Sequence, residues 1–358
     1  MSLKRFRLAG VLALLVVIGI FTGPTATAAS SVSGVAFTST SSTARATADW
    51  TVAFKTSNGS GGALAGGSTI LVTFNTSFTV PQNPVVTLSA GFSGCTPTAT
   101  TSASTVTVTL AGPTCTLQKN TAGSLTIAAI TNAPVGSYPA NSFTVSTSSD
   151  TNATPAPGPI VMSAGAATKL AFIQGPASGF AGTALPPITV QVQDQLGNPA
   201  STAGTAVTLT ASAGVINAGA SIATDSTGRA TFNGVTINST VLGLTLTATA
   251  QSLAPTGPSA TFNITVAVSN GATLTNTSSD GSGSGVKSVG YFYCATYAGA
   301  CTSANWTAIA SSTNPATNYQ VNWTSQPANG AYQVVAISTD NVSNASQPGN
   351  STPVTITN

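Results

Sequence analysis

Six aspartates, Asp49, Asp150, Asp194, Asp225, Asp280 and Asp340, make up the whole acidic complement of a 358-residue chain that contains no histidine and no glutamate. Hydrolytic chemistry needs a carboxylate pair, a nucleophile beside a base, or a metal. A retaining glycosidase, for instance, holds two carboxylates about 5 Å apart in one cleft. Here the aspartates fall two to each predicted domain, and most stand at turn signals where an Asx side chain serves the backbone. The expectation is therefore a chain with no catalytic residue and no cofactor.

Three other residue sets bear on chemistry. Asp340, Asn341 and Asn344 supply oxygen ligands for calcium if they meet the Asp280 loop at one end of the last domain. Two carboxylates make a weak site at best, so turn stabilisation is expected and no metal ligand is assigned. Cys95 and Cys115 share one predicted domain and Cys294 and Cys301 another, which favours two local disulfides among the three possible pairings. Neither pair has C-x-x-C spacing, and no histidine is present to complete a zinc site.

Aromatic residues concentrate near the C-terminus, where Tyr297, Trp306 and Tyr319 are the candidates for stacking on a sugar ring. Against that use, Tyr319, Val321 and Trp323 alternate with Gln320 and Asn322, the pattern of a strand with an apolar core face. Thr245, Thr247 and Thr249 form a regular row of the kind that matches an ice lattice. Sandwich sheets twist, however, and threonine is the ordinary polar residue of a strand, so a solvent face is expected there.

Composition narrows the field further. Hydrophobic residues are 42% of the chain and charged residues only 4%, far below the roughly 25% usual in globular proteins. Lys4, Arg5 and Arg7, the apolar run Leu8 to Phe21 and the small-residue site Ala26-Thr27-Ala28 read as a signal peptide cleaved after Ala28. Removing its three basic residues from the nine leaves six Lys/Arg against six Asp, a mature net charge of zero. Six scattered cations make no footprint for nucleic acid. No later stretch approaches the roughly 20 apolar residues of a membrane span, so no transmembrane segment is expected in the mature chain.

The remainder reads as strands separated by glycine and proline. From residue 29 to 163, runs at Val32 to Thr38, Asp49 to Thr56, Ser68 to Asn75, Val85 to Ala90, Thr105 to Ala111, Ser124 to Ala129 and Ser142 to Ser146 predict one β-sandwich domain. Three prolines within Thr151 to Pro159 predict an extended, poorly paired linker. Residues 164–265 form the second predicted domain and 266–358 the third. In the second, Ile188, Val190 and Val192 alternate with Thr189, Gln191 and Gln193, predicting one apolar and one uncharged polar face.

The motif order in the second domain carries a resemblance. I-T-V-Q-V-Q-D-Q-L-G-N-P at Ile188 to Pro199, A-V-T-L-T at Ala206 to Thr210, A-T-D-S-T-G-R-A-T-F at Ala223 to Phe232 and L-T-L-T-A-T-A at Leu244 to Ala250 are similar to the immunoglobulin-like repeats of invasin- and intimin-type surface proteins. In that family such repeats are mainly rigid spacers that hold a binding head away from the cell. Its outer-membrane barrel has no counterpart here. The third domain, with Y-F-Y-C at Tyr291 to Cys294 and W-T-A-I at Trp306 to Ile309, resembles another bacterial immunoglobulin-like module. It departs from the pattern before Asp280, where only Gly271 to Ser278 is available for an early strand.

These readings predict an all-β chain of three tandem immunoglobulin-like sandwiches, exported and noncatalytic, with a structural or spacer role at a bacterial cell surface or outside the cell. Its edge strands hold few of the charges that normally keep copies apart, so the expected partners are the chain itself or other surface components. The rival reading is an adhesin or carbohydrate-binding module with its glycan site in the aromatic-rich third domain.

Overall fold

Threonine alternating with aliphatic residues folds as period two requires, with hydroxyls outward and branched carbons inward. The computed structural model describes residues 30–59, 61–281, 283–295, 301–346 and 351–358. The expected signal peptide and Tyr297 lie outside the described residues. Apart from two three-residue 3-10 turns, every regular element described is a β-strand.

Two main sheets form the first unit, from β1 (Ser33–Ser39), β2 (Thr47–Lys55), β3 (Thr69–Thr73), β4 (Val86–Ser89), β5 (Thr96–Ser102), β6 (Thr105–Ala111), β7 (Ala122–Thr131), β8 (Thr144–Thr147) and β9 (Thr154–Pro155). The four-stranded sheet runs β1-β2-β7-β4 and the five-stranded one β9-β8-β3-β6-β5. Between them Trp50 meets Phe74 and Phe78 edge-on at 5.8 and 5.5 Å, and Phe143 packs edge-on to both phenylalanines. The Trp50 indole N–H donates to Asn132 Oδ1 at 3.0 Å, so the polar end of the largest buried ring is satisfied. Asn132 Nδ2 in turn donates to the carbonyls of Ser41 and Thr43.

Two sequence expectations change here. β5 was not foreseen, because T-P-T-A-T-T-S carries no aliphatic alternation; it forms as an edge strand that needs only one hydrogen-bonded neighbour, in full register with β6. The stretch Thr151 to Pro159 is not a poorly paired linker. Thr154 and Pro155 pair with Val145 and Thr144, Ala156 N donates to Phe143 O at 2.8 Å, and Thr154 Oγ1 donates to Val32 O. Proline is tolerated there because the segment is an edge, where one face of the backbone needs no donor.

The second unit is built from β10 (Lys169–Gln174), β11 (Ile188–Gln193), β12 (Ala206–Ala211), β13 (Ser221–Ala223), β14 (Arg229–Phe232), β15 (Val241–Leu244), β16 (Leu246–Ala250) and β17 (Phe262–Val268). Sheets β10-β11-β14 and β13-β12-β16 enclose Ile188, Val190, Val192, Leu209, Phe232 and Leu246. The polar face predicted for β11 is also covered: Gln191 is 1% exposed. Its amide satisfies itself locally, Nε2 donating to Thr227 O and Gly228 O while Oε1 accepts from Arg229 Nε.

In the third unit, β18 (Ala272–Leu274), β19 (Val286–Cys294), β20 (Thr307–Ser312), β21 (Val321–Trp323), β22 (Gly330–Asp340) and β23 (Thr352–Ile356) form two unequal layers. One is only the pair β18-β21; the other continues from β17 as β17-β23-β22-β19-β20. Strand β17 thus belongs to two cores. Its Phe262 and Ile264 pair with β15, and its Val266 to Val268 run parallel to Val354 to Ile356 of β23. The expected boundary between residues 265 and 266 falls inside this strand.

Trp50→Ala is expected to cost about 3–5 kcal/mol, the range for large aromatic truncation in a core. Hydrogen exchange at the Val52 and Ile127 amides, on the paired strands β2 and β7, reads that loss locally.

Candidate functional site

The two acidic loops of the third unit do come together, at one end of the sandwich. Asn341 links them, its N–H donating to Gly285 O at 3.1 Å and its Nδ2 to Ser284 O at 2.7 Å. Beside this link lies a cavity of about 380 Å³ lined by Ser278, Asp280, Ser338, Asp340, Asn344 and Ser346, among others. Each carboxylate is engaged with its own loop, and Asp340 also accepts from the Ser284 side chain of the other. Asp340 Oδ1 accepts from Val342 N and Asn344 N, and its Oδ2 from Asn344 Nδ2, while Asp280 Oδ2 accepts from Gly285 N at 2.8 Å. Desolvation opposes the Asp340 charge, yet the bonds from Asn344 and Val342 prevail and hold its carboxyl below the usual value. Among the described residues no group of three His, Cys, Asp or Glu gathers as a metal site. The arrangement braces two turns.

The aromatic candidates separate. Tyr319 is a core residue, 5% exposed, and its hydroxyl donates to Val286 O. It is therefore withdrawn from the surface positions that stack on sugars; Val321 and Trp323 are buried with it while Gln320 and Asn322 face solvent. Trp306 is half-buried, with its ring stacked on Phe292 at 5.1 Å and 28°. One indole face is thus occupied, and its Nε1 is enclosed without a hydrogen-bond partner. Cys294 and Cys301 are bonded ahead of Trp306, and Cys95–Cys115 ties the residue before β5 to the segment after β6.

A second cavity, about 410 Å³, opens beside β18 between the two layers, over Val266, Val268, Leu274, Val334 and Val354. It follows from the short early strand read at Gly271 to Ser278: a three-residue β18 leaves part of the larger sheet uncovered.

A densely bonded polar group is the D-x-x-G-N-P turn after β11. Gly197 takes a φ of +83°, which a side chain resists, and lets the turn close with Gly197 N on Asp194 O. Asp194 Oδ1 then accepts from Asn198 N, and Oδ2 from both Asn198 Nδ2 and Gly165 N, all at 2.8 Å. Asn198 Nδ2 also donates to Ala44 O in the first unit at 2.7 Å. Both side chains are nearly inaccessible, Asp194 at 2% and Asn198 at 1%. Sequence reading identified the turn but not its reach, because a backbone acceptor 154 residues away has no motif. Burial raises the Asp194 pKa, and the bonds from Asn198, Gly165 and Leu196 outweigh it, so the carboxyl titrates below its usual 3.8.

No protein-family model matches the sequence, and no curated protein matches it. Among solved structures the chain is similar to the FN1–FN3 domains of chicken CNTN1, at 13% identity and a TM-score of 0.30 over 92% of this chain and 99% of that one. The backbone protein of the group B streptococcus pilus 2b gives 13% and 0.26 over 60% and 83%. The Yersinia pseudotuberculosis adhesin InvE gives 17% and 0.23 over 66% and 60%. None of these likenesses bears on the activity or partners of this chain, whose fold is assigned from its own sheets.

The Asp194 geometry fixes the sign of a pH effect. A carboxyl with a lowered folded pKa contributes stability that is present above its unfolded value and lost as pH falls through the folded one. The melting-temperature gap between the native chain and Asp194→Asn is expected to close as pH drops from about 5 to about 2. Asp150, Asp225 and Asp340 titrate in the same direction but are common to both proteins. A gap that stays constant over this range contradicts the assignment.

Proposed function

We propose that the chain is a noncatalytic structural spacer, exported to a bacterial cell surface or beyond, whose sandwiches are fixed to one another rather than strung on flexible links. The observation that carries this reading is strand β17, which closes the second core with Phe262 and Ile264 and the third with Val268. A bend between those units must break the parallel bonds of Val266 to Val268 with β23. At the other junction, the short link from Ser163 to Thr168 is bracketed by Ala44 N donating to Ser163 O and by Asp194 accepting from Gly165 N. The Asn198 bond to Ala44 O closes the bracket.

A sugar-binding head draws less support. Of its three candidate residues, Tyr319 is inside the core and Trp306 presents a ring with one face already stacked. The carboxylates serve turns and junctions, which supports a role without catalysis.

Small-angle scattering tests the spacer. The native chain is expected to give a single narrow distance distribution. Asn198→Ala, which strands the Ala44 carbonyl and removes one of the two donors to Asp194 Oδ2, is expected to broaden the distribution at the first junction and to cost about 1–3 kcal/mol. A flexible Gly/Ser insertion after Thr265 is expected to broaden it at the second. A native profile as broad as the inserted one overturns the reading.

A further inference from the structure

Every exposed sheet edge is a row of unpaired N–H and C=O groups, and soluble proteins guard such rows with charge, proline, shortness or cover. Most edges here follow that rule. β5 holds Pro97, and its Thr101 is tied to Pro81 O; β9 is two residues long and ends in Pro155. β10 starts at Lys169 and is strapped by Leu170 N donating to Ala254 O. β16 is strapped through Ala248 N to Thr256 Oγ1 and Ser259 N to Leu246 O. β1 is broken by a bulge near Gly34, and Thr154 Oγ1 holds Val32 O just before the strand begins. β4, β13 and β14 are four residues or fewer.

Strand β20 is the exception. Its six residues, Thr-Ala-Ile-Ala-Ser-Ser, include no charge and no proline, and Thr307, Ala308, Ala310 and Ser311 are exposed. β19 occupies one side, and among the described residues no hydrogen bond from any other segment reaches its backbone. The bulge opposite Tyr291 and Phe292 turns Ile309 toward the core, which anchors the strand while its outer backbone groups take no bond from the described residues.

We infer that β20 is an assembly edge, pairing antiparallel with β20 of a second copy about a two-fold axis. The inference rests on the structural reading above and names the partner that reading lacks. A second copy fits for three reasons. Small hydroxyl and methyl side chains face their own kind without clash in an isologous pair. A mature net charge of zero gives no long-range repulsion between copies. An edge without charge also offers no ion pair to a charged peptide, so the backbone ladder itself carries recognition. The product joins two copies of the large sheet, each already continuous across the second and third units.

Sedimentation velocity over a concentration series of the exported chain tests this, with Thr307→Lys/Ser311→Lys as the blocking variant and Thr98→Lys/Thr100→Lys on β5 as the control. All four positions are exposed, so both variants are expected to keep the native melting temperature. The native chain and the β5 variant are expected to dimerise, and the β20 variant to do so at least about tenfold more weakly, since like charges oppose each other across the pair. Amide exchange in residues 307–312 should slow with concentration in the native chain and the β5 variant, and not in the β20 variant. A native chain that stays monomeric throughout, or a dimer indifferent to the β20 lysines, overturns the assembly edge. Neither result touches the spacer reading, which scattering from the monomer decides separately.

Discussion

The scarcity of ions is the constraint on which the rest of this structure depends. With only nine cations and six carboxylates in 358 residues, polar groups must satisfy one another as neutral pairs. On the outer faces they do so in ladders. Thr51 meets Thr126 at 2.9 Å, Thr73 meets Thr105 at 3.0 Å, and Ser89 meets Ser124 at 2.8 Å. The register lines up Thr38, Thr51, Thr126 and Thr87 as one row across four strands. Each such pair contributes roughly 0.2–1 kcal/mol, and little of that is screened by salt. The few carboxylates are then left for positions that need a strong acceptor for several N–H groups, as at Asp194 and Asp340.

Legibility in the sequence followed the range of the interaction. Strand β6 was readable because Thr105, Thr107 and Thr109 announce a wet face and Val106, Val108 and Leu110 a dry one. β5 was not, since an edge strand made of Thr, Ala and Pro has no periodicity to detect. Gln191 looked like a solvent residue because burial of a polar side chain depends on Arg229 and the Thr227 and Gly228 carbonyls, which come from another strand and its turn. Pro155 looked like a linker residue because nothing local tells an extended linker from an edge strand. Alternation did place Tyr319, Val321 and Trp323 inside.

The junctions were the least legible part and are the most informative. A boundary is usually sought where apolar periodicity stops, yet Ile264, Val266 and Val268 carry it straight through residue 265. The strand changes partners without changing character: its early residues serve one core and Val268 the next. The D-x-x-G-N-P turn shows the converse. Its local logic is complete in six residues, and its contact with Ala44 emerges only when the chain has folded.

The parallel alignment of β17 with β23 also fixes how tension would travel. Pulled from its two ends, the second unit hands its load to the third along the axis of β17, so the bonds of Val266 to Val268 are sheared together instead of being peeled one at a time. Three residues of parallel ladder then act as a single mechanical fuse between two units. The load between these two units is then borne by a seam inside a strand, not by a loop between domains.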